Sequence, residues 1–208
     1  MGNVLRPLLG AVILTLAGCA AMSKSECQLG NWQTVGFNDG ARGALVSRVG
    51  DYSQACSKYG VAPDLTAYRS GYDSGLETYC RDGNGFAVGA RGAQYEGVCP
   101  ASLEPKFLEG FRVGHQLFEM QSSVSSLQAQ ISQDNYQLNE CAERLAADQA
   151  AVVSDGTTPD QRAQLLMEMT GLAQRQGALQ AQVVELERSL AVSQQQLNQF
   201  RSTIAYNN

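Results

Sequence analysis

Two long heptad patterns constrain the fold of this chain more than any other feature. The first covers residues 117–152 and the second covers residues 165–204, and in both the apolar residues lie alternately three and four positions apart. Such spacing, sustained over several heptads, is typical of coiled-coil helices. Four polar residues stand at seam positions within these patterns: Asp134, Asp148, Gln176 and Ser193.

The segment between the two patterns predicts a turn. Gly156 suits the end of a helix, Thr158 suits an N-cap, and Pro159 suits the first helical position. We therefore predict an antiparallel coiled-coil hairpin over residues 116–206, with its turn at residues 154–160.

The chain before this hairpin is rich in glycine, with fifteen of the 21 glycines lying between Cys27 and Gly114. An aromatic residue followed by a glycine and a second small residue recurs there: Trp32, Gly36, Gly40; Tyr68, Gly71, Gly75; Phe86, Gly89, Ala93; and Phe107, Gly110, Gly114. Small residues four apart on one helix face let two helices pack closely. We predict a helical domain over residues 27–115, with helices at about 30–49, 64–80, 85–97 and from 104 onward. Glycine-rich loops and turns are the competing interpretation.

The N-terminus resembles that of a bacterial lipoprotein. Its apolar stretch, Leu8 to Ala17, is too short to span a bilayer. It ends in Leu16-Ala17-Gly18-Cys19, which resembles the lipobox at which a signal peptidase cuts and the new N-terminal cysteine is acylated. We predict a signal peptide at residues 1–18, lipidation of Cys19 and a tether at residues 19–26. The alternative is an ordinary secreted chain cleaved nearby. Ala20 follows this cysteine, whereas an Asp there would resemble the signal that retains lipoproteins in the inner membrane. We therefore expect the periplasmic side of the outer membrane.

Four cysteines in the glycine-rich segment predict two disulfides, because the periplasm is oxidising. If consecutive helices run antiparallel, Cys27 and Cys80 share one end of the bundle, and Cys56 and Cys99 share the other. We therefore predict the pairs Cys27 with Cys80 and Cys56 with Cys99. A zinc site is the alternative, but no C-x-x-C spacing is present and we predict no metal.

The remaining cysteine, Cys141, occupies a seam position of the first heptad pattern. Pairing around the predicted turn sets Cys141 near Leu172 and Leu138 near Gln176. Two interpretations remain open for this thiol. It is either a free buried group that packs as a small apolar residue or a cross-link between two molecules, which would make the protein a homo-oligomer.

Charge and motifs exclude several classes of function. The formal net charge is −5, and Lys24, Lys58 and Lys106 are the only lysines, so a nucleic-acid partner is not expected. The chain contains no nucleophile elbow, and the glycines at residues 82–89 follow a predicted helix where a dinucleotide fold needs a strand. We predict no catalytic residue and no cofactor. Four tyrosines suggest either a sugar-stacking strip or rings that cover core glycines: Tyr68, Tyr72, Tyr79 and Tyr95.

The glycine-rich motifs, taken in order, resemble a known family. They are Trp32-x-x-x-Gly36-x-x-Asp39-Gly40-x-x-Gly43, Tyr68-x-x-Gly71-x-x-x-Gly75-Leu76-x-x-Tyr79-Cys80, Gly85-Phe86, Tyr95-x-Gly97-Val98-Cys99-Pro100 and Phe107-x-x-Gly110-x-x-x-Gly114. Residues 27–115 resemble a proteobacterial family of predicted lipoproteins that is labelled as domain of unknown function number 2799. The resemblance implies a lipid-anchored envelope location, and it implies neither an activity nor any catalytic residue.

These observations predict an all-α protein: a small disulfide-stapled, glycine-rich helical bundle followed by a long antiparallel coiled-coil hairpin. The expected function is that of a non-enzymatic envelope lipoprotein, held to the membrane by its lipid, that acts as a spacer or binds a protein partner through its coiled coil. The alternative from another class is a peptidoglycan or glycan binder or hydrolase that uses the tyrosine-rich segment. An inhibitor of a periplasmic enzyme is a third hypothesis.

Overall fold

The computed structural model describes residues 22–206, and in this part of the chain the fold is all-α. The helices are α1 Lys24–Leu29, α2 Trp32–Ala41, α3 Val49–Ser57, α4 Leu65–Tyr79, α5 Asp82–Ala90, α6 Glu104–Val152 and α7 Pro159–Tyr206, with a short 3₁₀ helix at Val46–Arg48. The predicted signal peptide and the lipidation site Cys19 lie outside the described residues. None of the helices between Lys24 and Tyr206 is long and apolar enough to cross a membrane.

The described chain forms two compact units. The first contains residues 22–80 and 96–103, and the second contains residues 81–95 and 104–206. Helix α6 continues unbroken through residue 115, so the domain boundary predicted there lies inside a helix. The glycine-rich segment is therefore divided between the two units.

In the first unit, α2 and α4 pack side by side with their backbones in close approach. A Cβ added at Gly36 would lie within 3.0 Å of the carbonyl oxygen of Tyr68, and one at Gly40 would meet the carbonyl oxygen of Tyr72. Gly71 and Gly75 of α4 lie equally close to the backbone of α2. Contacts that advance in the same direction along both helices show that α2 and α4 are parallel.

In the second unit, α5 and the first turns of α6 repeat this arrangement. Gly85 and Gly89 lie against the carbonyl oxygens of Phe107 and Phe111, while Gly110 and Gly114 lie against the backbone of α5. Each α5 position lies 49 residues after its counterpart in α2, as Gly85 does after Gly36, and each α6 position lies 39 residues after its counterpart in α4, as Gly110 does after Gly71. The small-residue pattern seen in the sequence is thus a duplicated pair of parallel helices.

The first helix of each pair ends at a glycine in the left-handed region. The φ angles are 72° at Gly43 and 68° at Gly92, and the following amides of Ala44 and Ala93 donate to carbonyls five residues back. These bonds form a Schellman motif, which terminates a helix and satisfies its last carbonyls. The predicted helix at 30–49 was therefore too long, since α2 stops at residue 41. The predicted helix at 85–97 corresponds to α5, which begins earlier, at residue 82, and ends earlier, at residue 90.

The disulfides differ from the predicted pairing. Cys27 is bonded to Cys56 and Cys80 to Cys99, with Cα–Cα distances of 5.5 and 5.7 Å. The predicted pairs, Cys27 with Cys80 and Cys56 with Cys99, were wrong because they assumed that consecutive long helices run antiparallel. Because the two helices of each pair are parallel, the segment between them must run back to the end at which the first helix began. This return brings the second cysteine of each bridge close to the first.

The predicted coiled-coil hairpin is present in the second unit. Helix α6 ends at Val152 and α7 begins at Pro159, where the side chain of Thr158 accepts a hydrogen bond from the Gln161 amide. Every predicted seam position is buried or half-buried. Arg175 of α7 donates to Gln137 of α6 at 2.8 Å, in agreement with the predicted register. Each helix is about 70 Å long at 1.5 Å per residue.

Candidate functional site

Two features of the described residues are candidates for function, and the first is a buried carboxylate in the first unit. Asp39 of α2 is fully buried. Its Oδ2 accepts hydrogen bonds from the hydroxyls of Tyr52 at 2.9 Å and Tyr68 at 2.9 Å, which come from α3 and α4. The sequence alone assigned no structural role to Asp39, so this role was not predicted. One carboxylate therefore holds three helices together.

Two arginines complete the cluster at its solvent edge. The Arg42 guanidinium donates to Asp39 Oδ1 at 2.8 Å, and Arg48 lies 3.6 Å from the same oxygen. Arg48 also donates to the Tyr52 hydroxyl at 2.8 Å. A buried carboxylate with this many donors and two cations nearby has its negative charge compensated. We name Asp39, Arg42, Arg48, Tyr52 and Tyr68 the Asp39 cluster.

The tyrosines around Asp39 are neutral hydrogen-bond donors at neutral pH. Burial raises the pKa of Tyr52 and Tyr68 above the ordinary value, and the hydrogen bond to Asp39 raises the pKa of Tyr68 further. Burial also raises the pKa of Tyr72, whose hydroxyl donates to the Ala44 carbonyl at 2.7 Å. Tyr79 is also buried, so the rings of Tyr68, Tyr72 and Tyr79 lie in the core and offer no surface on which a sugar could stack. Tyr95 is half-buried against Phe107, with ring centroids 4.8 Å apart.

The raised tyrosine pKa values predict loss of stability in alkali. The folded state holds the protons of Tyr52, Tyr68 and Tyr72 more tightly than the unfolded state does. Near neutral pH all three hydroxyls are protonated in both states, so the free energy of unfolding does not depend on pH through them. That free energy falls as the pH rises through about 10, where tyrosines of the unfolded chain ionise. Thermal melts across this range check the expectation. A melting temperature that increases as the pH is raised above 10 would contradict the burial of these hydroxyls.

The Asp39 cluster has no counterpart in the second helix pair. The positions equivalent to Asp39 and Tyr68 are Val88 and Phe107, which are also buried. The same backbone packing therefore forms with a polar pair in one copy and with an apolar pair in the other. The geometry of the helix pair does not require the carboxylate.

The second candidate is an exposed strip on α7. Its members recur at helical spacing and are all exposed: Leu166, Thr170, Ala173, Gly177, Ala181 and Val184. We name these residues the α7 strip. The charged residues within this stretch, Glu168 and Arg175, lie beside the seam, where Arg175 bonds Gln137 and Glu168 lies 3.9 Å from Arg144. The strip is therefore a continuous uncharged surface.

Glycines of α7 serve no packing purpose within the chain. A Cβ added at Gly171 or Gly177 would meet nothing within 4 Å, in contrast to the eight glycines of the parallel pairs. Glycine inside a helix costs roughly 1 kcal/mol relative to alanine. Such a cost without an internal contact is expected where another molecule approaches the helix backbone closely.

The hairpin seam contains polar groups that are poorly satisfied. Cys141 is a free thiol, 4% exposed, and lies near Leu172 as predicted. One heptad to either side, Asp134 and Asp148 are buried, and the Oδ2 atom of each has no hydrogen-bond partner among the described residues. Arg144 lies 3.7 Å from Asp148 Oδ1. Because the Cys141 thiol is buried in the seam, residues 22–206 present no surface thiol for a cross-link between molecules.

Replacing Asp134 is expected to stabilise the hairpin. In the Asp134→Leu variant an unsatisfied buried carboxylate is replaced by the residue that coiled coils favour at this seam position. We expect the free energy of unfolding to rise by about 1–2 kcal/mol, and the Asp134→Asn variant, which keeps a polar group, to gain less. Urea denaturation measures both. A less stable Asp134→Leu variant would show that the carboxylate contributes favourably to the folded chain.

Two further titratable residues of the second unit, His115 and Asp82, make local contacts. His115 of α6 lies near Phe111 and Phe118, with tilted rings whose centroids are 5.7 and 6.3 Å away, and its Nδ1 lies 3.5 Å from Glu119. Asp82 opens α5, and its side chain accepts from the Gly83 amide at 2.8 Å. Within residues 22–206, no group of three or more His, Cys, Asp or Glu side chains is placed to hold a metal ion.

Comparison with known proteins gives a family match over the helix pairs. Residues 31–116 match the family described as Protein of unknown function (DUF2799). The resemblance noted in the sequence is thereby confirmed over this segment. Comparisons with curated proteins and with solved structures gave no match.

The DUF2799 segment coincides with the duplicated helix pairs. It begins at the N-cap residue of α2 and ends one residue after His115, so it includes both parallel pairs, the Asp39 cluster and three of the four disulfide cysteines. The hairpin after residue 116 lies beyond the match. The match covers both parallel helix pairs, and the α7 strip lies outside it.

Proposed function

We propose that this protein is a non-enzymatic lipoprotein of the cell envelope that is anchored through Cys19 on the periplasmic side of the outer membrane. Its α6–α7 hairpin binds a helix of another envelope protein along the α7 strip. The observation that carries this proposal is the strip itself, an exposed and uncharged helix face next to the seam. The lipobox sequence before Cys19 supports the anchor.

The composition of the α7 strip suits a partner helix. Large apolar residues, Leu166 and Val184, stand at its two ends, and small residues lie between them. Small central residues allow two helix axes to approach closely, and larger residues at the ends fill the space where crossing helices diverge. An uncharged surface also avoids the cost of desolvating charged groups on binding. The Asp39 cluster and the disulfides hold the anchored core rigid.

Site-specific photo-crosslinking in intact cells tests the binding surface. A photoreactive residue at Ala173, within the strip, is expected to form an adduct with a partner protein. The same residue at Ala129, an exposed alanine of α6, is expected to form none. Equal adducts from both positions, or none from Ala173, would contradict the proposal.

A second substitution separates binding from folding. The Gly177→Leu variant adds a side chain on the strip, where a Cβ meets nothing within 4 Å. It is expected to be at least as stable as the wild type, because leucine is a better helix former than glycine, and to lose the adduct formed from Ala173. The Ala129→Leu variant adds apolar bulk to α6 and is expected to keep the adduct.

Fractionation tests the anchor independently of the partner. The Cys19→Ser variant cannot be acylated at this position and is expected to move from the membrane fraction to the soluble periplasmic fraction, because acyl chains supply the membrane affinity. Mass spectrometry of the wild-type N-terminal peptide is expected to show acyl chains on Cys19. An unacylated Cys19 in membrane-bound protein would contradict the anchor.

A further inference from the structure

The first unit carries two exposed leucines at the end where its parallel helices begin. Leu29, the last residue of α1, is 84% exposed, and Leu65, the first residue of α4, is 53% exposed. Because α2 and α4 are parallel and in register, the beginning of α4 lies level with the residues just before α2. The two leucines therefore lie at the same end of the unit, which we name the Leu29 end.

The proposed anchor precedes α1, the helix that ends at Leu29. Met22, the first described residue, is already buried in the fold, and only two residues separate it from Cys19. An extended chain covers at most about 3.6 Å per residue, so Met22 lies within about 11 Å of Cys19. An acylated Cys19 would thus hold the folded unit directly against the lipid headgroups.

Charges around the two leucines balance. Lys24, Glu26, Lys58 and Asp64 are all exposed near the Leu29 end. Glu26 completes the capping box of α1 with Ser23, and Asp64 caps α4, so both carboxylates are occupied by helix amides or cap groups. With two positive and two negative groups, attraction to anionic lipid is not expected, and the exposed apolar side chains decide the contact.

We infer that the Leu29 end rests on the membrane, with Leu29 and Leu65 inserted into the interfacial region of the bilayer. This inference rests on the proposed acylation of Cys19 and adds to it a defined orientation of the first unit. Leu45, in the loop after α2, is 48% exposed and lies at the opposite end of the helix pair. An α2 of ten residues separates the two ends by about 15 Å, so Leu45 faces away from the lipid in this orientation.

Quenching by brominated lipid tests the orientation. The acylated, full-length mature protein is reconstituted in phosphatidylethanolamine and phosphatidylcholine vesicles, as the Leu29→Trp, Leu65→Trp and Leu45→Trp variants. The natural Trp32 is buried and gives a common background. Emission from the Leu29→Trp and Leu65→Trp variants is expected to fall by about twofold when the acyl chains are brominated, because the interfacial region lies about 5–10 Å deep. Emission from the Leu45→Trp variant is expected to stay unchanged, and added anionic lipid is expected to have no effect.

The outcomes separate this inference from the proposed anchor. Protein that floats with the vesicles but shows equal quenching at positions 29 and 45 would overturn the orientation and leave the anchor standing. Wild-type protein from cells that lacks acyl chains and does not float would overturn the anchor and the orientation together. Quenching that requires anionic lipid would overturn the apolar contact.

Discussion

Alanine at Gly75 is expected to destabilise the protein, whereas alanine at Gly177 is expected to stabilise it. A Cβ at Gly75 would lie within 3.0 Å of the Phe37 carbonyl oxygen and of the Ala41 amide nitrogen. These are backbone atoms, which cannot rotate away, so the two helices must separate. Overpacking of this kind costs about 1–3 kcal/mol or more, and we expect the Gly75→Ala variant to lose at least about 2 kcal/mol.

The Gly177→Ala variant is the matched control. Gly177 also lies inside a helix, but the added methyl group meets nothing within 4 Å. Its stability is therefore expected to rise by about 0.5–1 kcal/mol through helix propensity alone. Urea denaturation of the two variants gives the comparison. If both substitutions stabilise the chain, the close parallel approach of α2 and α4 is wrong.

A single apolar substitution at Asp39 is expected to be more harmful than the same substitution combined with a second one at Tyr68. In the Asp39→Val variant the fully buried Tyr68 hydroxyl loses its acceptor, and Arg42 loses its carboxylate partner. Breaking a buried network by removing one member costs about 3–5 kcal/mol. Adding Tyr68→Phe removes the stranded hydroxyl and reproduces the Val88 and Phe107 pair of the second unit.

The double variant Asp39→Val/Tyr68→Phe is expected to be more stable than Asp39→Val by about 1–2 kcal/mol, although it contains one more substitution. Thermal and urea denaturation of both single variants and the double variant complete the mutant cycle. Strictly additive losses would show that the hydroxyl and the carboxylate do not depend on each other. They would also show that the Val88 and Phe107 pair of the second unit cannot replace Asp39 and Tyr68 in the first.

The hairpin and the helical class were predictable because their signals are local. Heptad spacing and the Thr158-Pro159 start signal each depend on residues a few positions apart, and the structure places the turn at residues 153–158, close to the predicted 154–160. Small-residue spacing likewise predicted close helix packing. It could not give the direction of the helices, since a strip of glycines allows a parallel or an antiparallel neighbour.

The disulfide pairing and the Asp39 cluster depend on tertiary structure. The pairing required the return of the chain through α3, and Gly43, whose left-handed conformation ends α2 early, was read as part of a longer helix. Asp39 resembled a solvated acidic residue because nothing local shows that Tyr52 and Tyr68 converge on it. Aligning the two helix pairs would have revealed it, because Asp39 and Tyr68 then stand opposite Val88 and Phe107.

This chain contains two parallel helix pairs, and for each pair a disulfide links the segment before the first helix to the segment before the second. Protease digestion of the oxidised protein without reductant, followed by mass spectrometry of the linked peptides, tests this arrangement. We expect one peptide pair linking Cys27 to Cys56 and another linking Cys80 to Cys99, with Cys141 recovered as a free thiol. Peptides linking Cys27 to Cys80 would contradict it, because each of these cysteines is bonded to a different partner in this fold.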